Sequence, residues 1–140
     1  MQHAFKLAEK AKSIGEVPVG AVIVSEHDDL IGEGYNQCIR LSDPTAHAEI
    51  IAIREASQHL KNYRITNAKL YVTLEPCAMC AGAILESRIK QLYFATRDIK
   101  EGACGSKYNV LASHVQIDEG IMQTECAHML SNFFKELRER

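Results

Sequence analysis

Two short runs thirty residues apart, His47-Ala48-Glu49 and Pro76-Cys77-Ala78-Met79-Cys80, constrain this chain most. Together they offer one imidazole, two thiolates at C-x-x-C spacing and one carboxylate. That donor set suits zinc. Three nitrogen and sulfur ligands leave a fourth zinc position open for water, which separates a catalytic zinc site from a structural one. A closed site would need a fourth ligand at a regular spacing, and none of Cys38, Cys104 and Cys126 forms a second C-x-x-C.

Cys77 and Cys80 are i,i+3 on one helix, so both thiols can face one metal. A helix N-terminus and a zinc ion each favour the thiolate. Alone, the pair reads equally as small core residues, a redox pair or half of a zinc ribbon. The His-x-Glu upstream and the proline before the first cysteine select metal binding. His47 and Glu49 do not share a helix face, so they take different roles, His47 on the zinc and Glu49 reaching the zinc-bound water. Zinc lowers the pKa of its water to roughly 7. Deamination of an amidine carbon, C6 of adenine or C4 of cytosine, needs hydroxide on carbon, a proton on the ring nitrogen and a proton on the departing amine. One carboxylate near both the water and the ring can move these protons, and Glu49 is the candidate.

The surrounding pattern alternates. Residues 3–14 have a helical period, Val19–Val24 reads as a buried strand, Asp28-Asp29 as a hairpin turn and Leu30–Asn36 as a second strand. Asp43-Pro44 suits a helix start and the helix runs to about Lys61. Lys69–Leu74 is a third strand, Pro76 opens a helix to about Ser87, Ile89–Ala95 is a fourth strand and Val115–Ile117 a short fifth. Glu119 to Arg140 reads as one or two helices. Strands alternating with helices imply a sheet covered on both faces, parallel apart from the first hairpin. Ligands of such sheets bind at the carboxyl ends of the strands, beside helix N-termini. Both halves of the zinc signature fall there.

The chain has 140 residues, 46% of them apolar, which predicts one domain over 1–140 and excludes extensive disorder. The longest apolar run, Val17 to Val24, is far too short to span a membrane. No secretory signal is visible, and five cysteines without one predict reduced thiols and a cytoplasmic protein. The net charge is −2, so nucleic-acid binding would rest on a local basic cluster. Met79 and the other three cysteines read as packing residues, and Phe134 reads as the core side of a Phe-Phe pair in an amphipathic helix.

The H-x-E…P-C-x-x-C pattern is that of zinc nucleobase deaminases. Nearly the whole chain resembles the bacterial tRNA-adenosine deaminase branch of the cytidine deaminase superfamily. The stretches that carry this are Gly15-Glu16-Val17-Pro18-Val19-Gly20-Ala21-Val22, Asp43 to Ile50, Thr73 to Ala83, Arg97-Asp98 with Gly102-Ala103-Cys104-Gly105-Ser106, and Phe133-Phe134. The resemblance implies a cytidine deaminase-like three-layer α/β/α fold with a five-stranded mixed sheet, and a homodimer. It also implies one Zn²⁺ per chain on His47, Cys77 and Cys80. The implied reaction is zinc-dependent hydrolysis of the wobble adenosine to inosine in the anticodon loop of an arginine tRNA, with Glu49 as proton shuttle. Asn36 would hydrogen-bond the target nucleotide, Asp98 would contact the anticodon ribose and backbone, and Phe133 would lie near the flipped nucleotide. Lys100, Lys107, Lys135 and Arg138 would supply positive charge. The segment Lys107 to His114 is several residues shorter than is usual in that family. Two rivals share the features: a small-molecule deaminase of guanine or cytosine, and a catalytically silent RNA-binding partner subunit, against which the intact Glu49 argues.

Overall fold

The computed structural model describes all 140 residues. Its elements are α1 Gln2–Ser13, β1 Gly20–Val24, β2 Leu30–Tyr35, α2 Ala48–Leu60, β3 Lys69–Leu74, α3 Ala78–Ser87, β4 Gln91–Thr96, β5 Gln116–Glu119 and α4 Gln123–Arg138. The five strands form one mixed sheet in the order β2-β1-β3-β4-β5. β1 is antiparallel to both β2 and β3, while β3–β4 and β4–β5 are parallel, so β1 alone opposes the other four. Helices cover both faces, in agreement with the expected α/β/α layers.

The period-2 alternation of β1 divides the core. Ala21 and Ile23 join the main cluster of 20 buried residues, which includes the inner faces of α2 and α3. Val22 points the other way, to Ala4 and Leu7 of α1. On the main face α2 lies close against β2. Ala48, Ala52 and Ala56 recur every four residues along α2 and are fully buried, and they meet Gly32 and Gly34 of β2. A Cβ at Gly34 would stand 2.5 Å from the Ala48 carbonyl oxygen, and one at Gly32 2.9 Å from the Ala56 Cβ. Small residues on both elements thus let the helix backbone approach the strand and fix where α2 begins.

Several boundaries differ from the sequence expectation. α2 starts at Ala48 rather than at Asp43-Pro44. Asp43 Oδ1 instead accepts from the Thr45 amide (2.8 Å) and the Thr45 hydroxyl (2.7 Å), closing a local turn. α3 starts at Ala78 with Cys77 as its cap residue, one turn position after the proline expected to open it. β5 is Gln116–Glu119. Gly120 and Met122, both at positive φ, then separate it from a single helix α4.

Candidate active site

Both helices that carry the zinc signature begin at the carboxyl end of a strand or its following loop, and their N-termini converge. His47 and Cys77 are the cap residues of α2 and α3, both with extended backbone and neither side chain bonded to its own helix end. Their side chains are therefore free to point across the gap between the helices. Cys80 follows in the first turn of α3. His47 Nδ1 lies 3.6 Å from Cys77 Sγ and 3.4 Å from Cys80 Sγ, and the donor atoms of all three lie within 4.8 Å of one another. A tetrahedral zinc with Zn–N of about 2.1 Å and Zn–S of about 2.3 Å sets nitrogen and sulfur about 3.6 Å apart. The donor chemistry and the spacing both fit that ion.

The Cys77 thiol suits a cation at this point. The Cys77 thiol is held down to about 4, chiefly because the Cys80 thiol donates to it, with His47 adding to the effect. The Cys80 thiol is pushed up by that same contact and by burial. The two thiols form one hydrogen-bonded pair, and a bound dication would displace the proton between them. His47 is shifted up by its hydrogen bond to Cys77.

Glu49 is the second residue of α2 and only 4% exposed. Burial pushes its carboxyl up to about 7, and the negative charge on Cys77 adds to this. It lines a cleft of about 370 Å³ together with His47, Cys77, Asn36 and Asp98, a size in the range of small-ligand sites. The cleft thus places a buried carboxyl beside His47 and Cys77 of a donor cluster that could hold a metal ion.

The structure gives Asn36 a double task. Its Oδ1 accepts a hydrogen bond from the Ala48 amide (2.8 Å), one of the orphan donors at the start of α2. With that oxygen committed, the side-chain NH2 is what Asn36 offers to the cleft. Asp98 Oδ1 accepts from the amides of Lys100 (3.2 Å) and Glu101 (3.1 Å), which closes a turn and leaves Oδ2 unused by the protein.

A second cavity of about 600 Å³ adjoins the first, sharing Val17, Leu74, Asp98 and Glu101, and adds Lys100, Arg138 and Phe134. Here the expectation for the aromatic pair reverses. Phe133 is 5% exposed and lines neither cavity, whereas Phe134 is 40% exposed and lines the second. The buried face of α4 carries Cys126, Met129, Leu130 and Phe133, and the next residue turns outward. Lys107 lies on neither wall and sits over the Tyr108 ring, 5.2 Å from its centroid. The wall residues Val17, Val19, Leu74 and Glu75 fall inside the stretches that carry the family resemblance but have no donor chemistry or spacing, Glu75 apart, that marks them as site residues.

Residues 1–96 match the family model for the cytidine and deoxycytidylate deaminase zinc-binding region. A tRNA-specific adenosine deaminase of Haemophilus influenzae is 50% identical over 99% of this chain and 83% of its own length. One of Bacillus subtilis is 41% identical over 100% and 89%. Among solved structures, a chain from studies of A-to-I editing by tRNA:A34 deaminases superposes with a TM-score of 0.89 at 39% identity, covering 93% of this chain and 97% of that one. A guanine deaminase from Nitrosomonas europaea shares the fold, with a TM-score of 0.82 at 22% identity over 94% of this chain and 81% of that one.

Proposed function

The chain belongs to the cytidine and deoxycytidylate deaminase family, among its tRNA-specific adenosine deaminases, and from that premise we propose that it hydrolyses the wobble adenosine of an arginine tRNA to inosine. The observation that carries this reading is the buried Glu49 carboxyl lining one cleft with His47 and Cys77, two of the three donors that cluster with Cys80.

His47, Cys77 and Cys80 would hold one zinc per chain. When bound, that ion supplies a Lewis acid that makes water a nucleophile at neutral pH. The remaining work falls to side chains. Asn36 donates its NH2 to an acceptor on the nucleoside and so orients it. As the C6–O bond forms, Glu49 takes the proton the water gives up and passes it to ring N1. A second transfer through Glu49 protonates the amino nitrogen, the C6–N bond breaks and ammonia leaves. Adenosine and water become inosine and ammonia. Glu49 suits this because its carboxyl is buried in the cleft beside the donor cluster, where it can both take and return a proton.

The target base must leave the loop's stack to reach the cleft, and neighbouring bases can then stack on an aromatic. Phe134 offers that platform, Lys100 and Arg138 offer charge to phosphates, and Asp98 Oδ2 can accept from a ribose 2′-hydroxyl. No helix is long and apolar enough to cross a membrane. We place the enzyme in the cytoplasm as a homodimer of single-domain chains, with two exposed apolar residues facing the second copy: Tyr63 after α2, and Met79 in the first turn of α3, which is 37% exposed rather than the packing residue expected.

The test is incubation with an anticodon stem-loop, free guanine and free cytidine side by side, scoring ammonia and product. Inosine and ammonia from the stem-loop alone are expected. Rapid turnover of guanine with no RNA product would move the chain to small-molecule chemistry.

A further inference from the structure

Glu75 is a buried carboxylate, 2% exposed, with no ion-pair partner. Its contacts are all donors from one loop. Oε1 accepts from the Asp98 amide (3.1 Å) and from the Ser106 hydroxyl. Oε2 accepts from the amides of Cys104 (3.0 Å) and Ser106 (3.1 Å). The same loop docks on the segment that carries the metal ligand: the Ala103 amide donates to the Pro76 carbonyl (2.8 Å), and Gly102 bridges to Cys77. Gly102 is part of the fit, because a Cβ there would overlap both the Glu75 carboxylate and the Asp98 carbonyl oxygen.

We propose that Glu75 is a positioning residue for the substrate. One buried carboxylate supplies the acceptors that the 98–106 loop lacks and thereby sets Asp98, the wall between the two cavities, relative to Cys77. The proposal rests on the nucleotide-binding reading above for its kinetic consequence. Its structural part stands without that reading.

The hydrogen-bond inventory makes the test selective. Glutamine in place of Glu75 keeps one acceptor oxygen and adds two donors. With its NH2 at the Oε2 position, two backbone donors, Cys104 and Ser106, would be stranded. With the NH2 at the Oε1 position, the Ser106 hydroxyl turns to accept it and only the Asp98 amide loses its partner. The second orientation wins, so Glu75→Gln should release the Asp98 end of the loop and keep the other end.

Amide hydrogen exchange reads this directly and needs no substrate. In the wild-type protein the Asp98, Cys104 and Ser106 amides should be strongly protected. In Glu75→Gln the Asp98 amide should exchange at least about tenfold faster while Cys104 and Ser106 keep their protection, the loss expected for one unpaired buried donor. With the anticodon stem-loop as substrate, KM should rise about tenfold with kcat changed less than threefold and zinc content unchanged, since a binding-wall residue that loses its anchor weakens binding rather than chemistry. Unprotected Asp98, Cys104 and Ser106 amides in the wild-type protein would overturn the proposal even if the variant failed to fold. Uniform loosening of the loop, or a fall in kcat and zinc content at constant KM, would also overturn it. If no RNA is turned over by the wild-type protein, the proposed function fails while the exchange result still decides the role of Glu75.

Discussion

Burying Glu49 for proton transfer should make the metal-free protein less stable as pH rises. Its carboxyl moves from an ordinary 4.5 to about 7 in the folded chain, chiefly through burial. The folded state therefore binds this proton more tightly than the unfolded state does. The stabilisation is fully present below pH 4.5 and is lost as pH rises through 7. At 1.36 kcal/mol per decade, the difference amounts to about 3 kcal/mol, of which about 2 kcal/mol falls between pH 5 and 8. Glu49→Gln has nearly the same shape and no charge at any of these pH values. Urea denaturation of chelator-stripped wild type and variant from pH 5 to 8 should show the variant gaining about 2 kcal/mol on the wild type across that range. The thiols and His47 titrate in both proteins, so the difference between the curves reports Glu49 together with its coupling to them. Zinc favours the carboxylate by its charge, so refilling the site should shrink the gap. Parallel stability curves for the two metal-free proteins would refute the assignment of Glu49 as a carboxyl poised near neutrality.

Three further outcomes follow from the geometry. Cys77→Ala should lose nearly all zinc by elemental analysis, against about one metal per wild-type chain, because two remaining ligands do not make a site. Asn36→Asp keeps the acceptor for the Ala48 amide but loses the NH2, so thermal stability should hold while KM for the stem-loop rises about tenfold; Asn36→Ala should also lose about 1 kcal/mol of stability with the helix cap. Gly34→Ala drives a methyl to 2.5 Å from the Ala48 carbonyl, and calorimetry should show a loss of about 1–3 kcal/mol from overpacking, with activity falling as α2 and His47 shift.

The local parts of this structure were legible in the residue pattern. β3 matches its expected span, Lys69–Leu74, and β1 and β2 fall within a residue at either end, because buried strands bounded by turn residues leave a short apolar signature. The convergence of His47 with Cys77 and Cys80 was legible from donor chemistry, although each helix starts later than its proline suggests. The misplaced start of α2 has a plain cause: Asp43 spends its carboxylate on Thr45, and the cap for Ala48 comes from Asn36, twelve residues earlier and just past the end of β2. The swap of Phe133 and Phe134 turned on one residue of helical phase in α4, which a pattern of mixed apolar residues does not fix. Glu75 was the least legible residue. Its donors lie 23 to 31 residues away in sequence, and nothing local distinguishes a carboxylate that holds a loop from one that faces water.

The most direct measurement treats an anticodon stem-loop with wild-type protein and with Glu49→Ala, both verified to carry zinc, and sequences the RNA. Wild type should convert the wobble adenosine to inosine, read as guanosine, with one ammonia released per event. Glu49→Ala should leave the adenosine unchanged at equal zinc content. Comparable conversion by the zinc-loaded variant, or no conversion by the zinc-loaded wild type, would contradict a deaminase that works through this carboxylate.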